Sequence, residues 1–143
     1  MDAPAQNVDT VGWGVIGCGW VARDFGIPAI RNASNSRLVG LCDRDGDALA
    51  ATLPDTSVPC RTQRTGELLR RDDLDAVYVA TPNDSHAELV SACAKAGKHV
   101  LCEKPMARTT PEAESLVDAC RTAGVRYATA FDQRFHPAHR RLQ

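Results

Sequence analysis

Apolar residues along this chain gather in short unbroken runs, set apart by amphipathic stretches and turn-forming residues. The runs are Val11–Ile16, Leu38–Cys42, Val58–Cys60, Asp75–Ala80, His99–Cys102 and Val125–Ala130. Unbroken apolar runs of this length mark strands buried on both faces, as in a parallel sheet. Helical patterns lie between them. The first starts near Trp20, and Pro28 is expected to break or kink its later part. Asn32–Ser36 reads as a loop, and Asp43 is a candidate N-cap for a helix over Asp45–Leu53. Thr65 is placed to cap a short helix ending at Leu69, ahead of an acidic turn at Asp72, Asp73 and Asp75. A helix from Ser85 to Ala96 carries His86, Leu89, Val90 and Cys93 on one face and stops at Gly97. The last long helix is expected to start at a Thr110 cap, with Pro111 in its first position and Glu112 in its first turn. It presents Ala113, Leu116, Val117 and Cys120, and ends at Gly124. Six alternations of strand and helix predict one α/β domain, a doubly wound parallel sheet over residues 11–143.

The turn after the first strand adds chemistry to that fold. Val15-Ile16-Gly17-Cys18-Gly19-Trp20-Val21-Ala22 fits strand, glycine turn and helix start, with Ala22 where the pattern accepts glycine or alanine. Gly17 permits a tight turn, and Gly19 lets a phosphate approach the backbone. The amides of Trp20 and Val21 open a helix whose N-terminus favours a pyrophosphate. Taken alone, such a glycine turn is common. Its place between a buried strand and a helix points to the dinucleotide-binding Rossmann fold. Asp43 ends the second strand, where an acid would accept hydrogen bonds from the adenosine ribose and repel a 2′-phosphate. This inclines the reading toward NAD, with NADP possible. Arg44 follows directly and is placed to meet a phosphate or stack on adenine.

Composition narrows the alternatives. The chain has 143 residues, 43% of them hydrophobic, enough for one real core. A net charge of −1 gives no field for nucleic acid, and the basic cluster Arg134, His136, His139, Arg140, Arg141 reads as a solvated face. The six cysteines form no C-x-x-C pair and sit in apolar patterns, as small buried hydrophobes in a reducing compartment. His136-x-x-His139 has helical spacing for a metal, but no third ligand stands near, so no metal is expected. Met1–Thr10 is polar and reads as a flexible tail rather than a signal peptide. No apolar run approaches a membrane span. A cytoplasmic protein acting on a small molecule, without nucleic acid or membrane, is the expectation.

Four segments, Val15–Ala22, Ala80-Thr81-Pro82-Asn83 with His86, Ala96–Ala107 and Asp132–Pro137, resemble the N-terminal domain of the Gfo/Idh/MocA oxidoreductases. The string from Ala96 to Pro105, ending in Glu103-Lys104-Pro105, is the most specific of them. The resemblance implies that the domain binds NAD or NADP. It implies that Lys104 reaches the substrate beside the nicotinamide, held there by Glu103 and Pro105. Thr81, Pro82, Asn83 and His86 would line the cofactor site, to which Gln133 and Arg134 return. Asp132 departs from the family pattern, which usually shows asparagine nearby. The expected function is hydride transfer between nicotinamide and a sugar, cyclitol or related polyol. Family members also carry a C-terminal α+β domain that supplies a general base and mediates assembly. That domain has no counterpart here, so this chain alone is expected to be inactive, and homo-oligomers are expected only of a longer protein that carries it. Two other readings remain at this point: a non-catalytic dinucleotide-binding module that needs a partner chain, and a methyltransferase using the same glycine turn.

Overall fold

A computed structural model describes residues 10–53 and 57–141, so the tail expected over residues 1–10 lies almost wholly outside the described residues. The sheet has six strands: β1 (Val11–Ile16), β2 (Ser36–Cys42), β3 (Cys60–Thr62), β4 (Ala76–Val79), β5 (His99–Cys102) and β6 (Tyr127–Thr129). All neighbours are parallel, in the order β3-β2-β1-β4-β5-β6. After β3 the chain crosses back to pair β4 with the other side of β1. That places a topological switch point between the carboxyl ends of β1 and β4, where open α/β sheets bind ligands.

The buried runs work as two-faced strands. Ile16, Val39, Val77 and Val79 point into one core, closed by Leu68 and Leu69 of α3 (Thr65–Leu69), Val90 and Cys93 of α4 (His86–Lys95), and Leu116 and Cys120 of α5 (Thr110–Ala123). Val15, Leu41 and Tyr78 point the other way. They meet Ala22, Ile27 and Ile30 of the first helical segment and Leu49 of α2 (Gly46–Ala51). A short α6 (Pro137–Arg140) follows the last strand.

Several local expectations are corrected. Pro28 does not break the first helix. Helical backbone runs from Trp20 through a π-helical turn at Ala22–Gly26 directly into α1 (Ile27–Asn32). Pro28 has no N–H to give, and its ring would crowd the carbonyl four residues back, so a wider turn precedes it. The third strand starts at Cys60 rather than Val58. Pro59 cannot donate to the ladder, and Val58 is buried in the second core instead. The cap of α2 is Asp45, whose carboxylate accepts from Asp47 N and Ala48 N. Asp43 is taken up by another contact, described below. The helix also ends at Ala51, two residues short of Leu53. Arg64 precedes α3, its N–H donating to Thr62 Oγ1 (3.1 Å), so Thr65 is the first helical residue and not the cap. The cap of α5 is Thr109, which accepts from Glu112 N, while the Glu112 carboxylate accepts from Arg108 N (3.0 Å). Thr110 and Pro111 are the first two helical residues.

Candidate active site

Parallel strands deliver all their carboxyl ends to one edge, and the residues singled out in the sequence lie along it. At its centre Gly17 takes φ +93°, and its N–H donates to Cys42 O (2.9 Å). A Cβ there would stand 2.6 Å from Ala80 O, so the turn is wedged between the ends of β2 and β4. Gly19 differs: a Cβ built on it meets no protein atom within 4 Å. Arg23 N–H bonds Gly19 O (3.0 Å), so the helix opens at this glycine and its first amides have no partner within the helix. Open space above Gly19 and free amides beside it form a cradle that fits a pyrophosphate.

Asp43 closes that cradle from β2. One carboxylate oxygen accepts from Cys18 N (2.6 Å) and the other from Asp45 N (2.9 Å). An ionised carboxylate has about four acceptor sites, so capacity remains for ribose hydroxyls. The cleft in front of the turn measures about 300 Å³ and is lined by Gly17, Gly19, Asp43, Arg44, Thr81 and Pro82 among the expected residues. Thr65, Ser85, Glu88 and Leu89 also line it. Sequence reasoning missed these four. Thr65 reads as a cap, Ser85 as a helix start and Leu89 as part of an apolar helix face, and nothing in the pattern marks Glu88. The Ser85 hydroxyl lies 2.8 Å from Thr81 Oγ1 and 2.7 Å from Pro82 O, which folds the Thr81–Ser85 loop on itself.

The remaining expected residues stand outside this cleft. Trp20 is exposed, edge-on to exposed Phe25. Val21 is half-buried beside it, and Asn83 opens an exposed helical turn. His86 is fully buried at the start of α4. Its Nδ1 lies 2.9 Å from Pro105 O and its Nε2 lies 3.0 Å from Thr81 O, so it ties the two loops together from beneath. Glu103 follows β5. Its Oε1 accepts from the Tyr78 hydroxyl (2.7 Å) and its Oε2 from Lys104 N (3.3 Å). Lys104 is exposed, and its ammonium has no hydrogen bond or ion pair among the described residues. The Lys104–Pro105 peptide is cis. Gln133 and Arg134 lie in a helical turn after β6, and Arg134 lines a second depression with Leu101, Met106 and Tyr127. Burial, and then the bond to Glu103, push the Tyr78 phenol above its ordinary value, which keeps it a neutral donor.

Among the described residues no group of three histidine, cysteine or acidic side chains is placed to hold a metal, and no helix is long and apolar enough to cross a membrane.

Known proteins are similar to this chain in sequence and fold. The chain is 39% identical over 131 residues to the 1,5-anhydro-D-fructose reductase of Ensifer adhaerens, covering 92% of this chain and 39% of that protein. It is 37% identical over 125 residues to a D-xylose 1-dehydrogenase (NADP(+)) of Haloferax volcanii, covering 87% of this chain and 38% of the relative. A 3-ketoreductase from Actinomadura kijaniata, solved with NADP, superposes with a TM-score of 0.86 at 33% identity, over 94% of this chain and 42% of that one. The chain thus spans about two fifths of the length of these relatives. Residues 11–131 match the sequence family described as an oxidoreductase family with an NAD-binding Rossmann fold. With the glycine cradle, the Asp43 tether and the Glu103-Lys104-Pro105 loop on one sheet edge, the chain belongs to the Gfo/Idh/MocA oxidoreductase family.

Proposed function

We propose that this chain is the cofactor-binding part of an NAD(P)-dependent oxidoreductase that moves hydride between the nicotinamide and a carbinol carbon of a sugar, cyclitol or related polyol. The observation that carries the reading is the pairing of an open cradle at Gly19 with an unpartnered Lys104 ammonium at the end of β5. The relatives' names support the substrate class, since they include reductases and dehydrogenases of sugars. Asp43 favours NAD over NADP, because a carboxylate bound to the turn would repel a 2′-phosphate.

When bound, the nicotinamide supplies the acceptor or donor carbon for hydride. The chain's residues do the rest of the work. The Gly19 cradle and the first helical amides hold the pyrophosphate, and Asp43 holds the ribose. Lys104 donates to the substrate oxygen and stabilises its negative character as hydride leaves the carbon, a preorganised electrostatic contribution. Its ammonium is free to do so because no carboxylate of the described residues neutralises it. Removing the hydroxyl proton needs a separate base. His86 is buried against Pro105 O and Thr81 O, His99 opens β5 at the opposite edge, and His136 and His139 lie in the exposed segment after β6 with each Nδ1 against nearby backbone. We assign that base to the part of the relatives that this chain does not span, so the 143 residues alone are expected to bind cofactor without turnover.

The test has two arms. Calorimetric titration of this chain should show saturable NADH binding that is tighter than NADPH binding, and no S-adenosylmethionine binding. In the native protein, Lys104→Met should keep NADH affinity and cut polyol-dependent NADH formation by about 100-fold or more. Binding of S-adenosylmethionine alone, or full turnover in Lys104→Met, would sink the reading.

A further inference from the structure

Lys104 has no side-chain partner of its own, yet its two neighbours in the chain are both fastened. On one face of the sheet, His86 reaches up from α4 to Pro105 O. On the other face stands Tyr78, in the middle of β4, 5% exposed, with its ring among Val15, Ala22 and Ile27. The phenol is a polar end in a cluster built mostly of aliphatic side chains. Its hydroxyl donates to Glu103 Oε1 at 2.7 Å, just past the end of the neighbouring β5. Glu103 then uses its second oxygen on the Lys104 amide at 3.3 Å, while its own N–H continues the sheet ladder to Val79 O (2.9 Å).

The first helical segment is shaped to admit this ring. A Cβ on Gly26 would stand 2.2 Å from Tyr78 Cε1, so any larger residue there would push the ring out of its slot. The hydroxyl buries a polar group that must be satisfied, and the Glu103 carboxylate satisfies it with a charge-assisted bond. A phenylalanine would fill the same apolar slot without that demand. The hydroxyl therefore serves its partner rather than the core.

We propose that Tyr78 is a positioning residue for Lys104: by fixing the Glu103 carboxylate from beneath the sheet edge, it sets the backbone from which the Lys104 ammonium reaches the substrate. This rests on the role given to Lys104 above.

The variant that tests it is Tyr78→Phe, which keeps the ring in its slot and removes only the hydroxyl. Hydrogen exchange of the Lys104 amide, followed by NMR in this chain, should quicken by about tenfold, as expected for losing a bond of this class. The Val15 and Leu41 amides and the affinity for NADH should stay as they are. In the native protein kcat should fall by about 10- to 100-fold with KM for the polyol little changed. An unchanged Lys104 exchange rate overturns the proposal. So does an unchanged kcat in Tyr78→Phe when Lys104→Met has lost activity, and the functional reading would then survive alone. Faster exchange together with full activity in Lys104→Met would keep the clamp and remove the catalytic role of Lys104.

Discussion

Gly19 and Gly17 stand two residues apart and are needed for different reasons. At Gly17 a side chain would collide with Ala80 O and the backbone has a positive φ, so the protein itself requires glycine. At Gly19 the protein leaves open space, and only a ligand would require it to stay open. Gly19→Ala is therefore expected to leave the thermal midpoint within a degree or two of wild type, while NADH affinity falls by about tenfold or more, because a methyl group would stand where the pyrophosphate approaches. Calorimetry beside a thermal melt checks both halves. A loss of stability equal to the loss of binding would mean that Gly19 serves the fold. Asp43 shows the converse. A residue read as a ribose ligand or a helix cap also holds the Cys18 amide, a contact across 25 residues that no local pattern signals.

Among the elements, α3 shows how little helix is needed when the surface below it is flat. It has five residues, and Leu68 carries it, fully buried. Leu68 sits over Gly14 and Gly40 of β1 and β2, where added Cβ atoms would come within 3.1 and 2.3 Å of its methyl groups. Leu68→Ala should cost about 2–5 kcal/mol, since rigid strands cannot fill the void; urea unfolding of the variant measures it. The strands were legible in the sequence because burial on both faces writes an unbroken apolar run, and β1, β4 and β5 fall where those runs lie. Their order, with β1 between β2 and β4, has no counterpart in the run pattern and is seen only in the fold. Helix ends were less legible. Thr109 and Thr110 both satisfy the local rule for a cap, and the choice between them is made by the Arg108–Glu112 pair. The three-residue β3 carries too short a pattern for its boundary to be read. The link from Tyr78 to Glu103 left no trace, because a tyrosine inside an apolar run looks like one more core residue.

Across the whole molecule, the six cysteines are free thiols, all but Cys60 buried. Burial pushes Cys18, Cys93 and Cys102 from an ordinary 9.0 up to about 12. The sign of the consequence is fixed by linkage. Above about pH 9 the unfolded chain loses these protons while the folded chain keeps them, so the unfolded state gains. The stability these thiols contribute is complete below about pH 9 and is lost as the pH rises toward 12. Under a reductant, the urea midpoint should be insensitive to these thiols from about pH 7 to 8.5 and fall steadily above that. A flat profile to about pH 11 would show that the thiols ionise in the fold as easily as outside it.

The two outer strands, β3 and β6, are each only three residues long. An open sheet edge is a template on which a second molecule can add a strand, and long exposed edges seed fibrils and precipitates. Edges this short offer few free amides and carbonyls to a neighbour, too few to lock a register. The sheet is thus poorly suited to growth by stacking edge upon edge. Association between copies of this domain is not expected to run through the edges of its sheet.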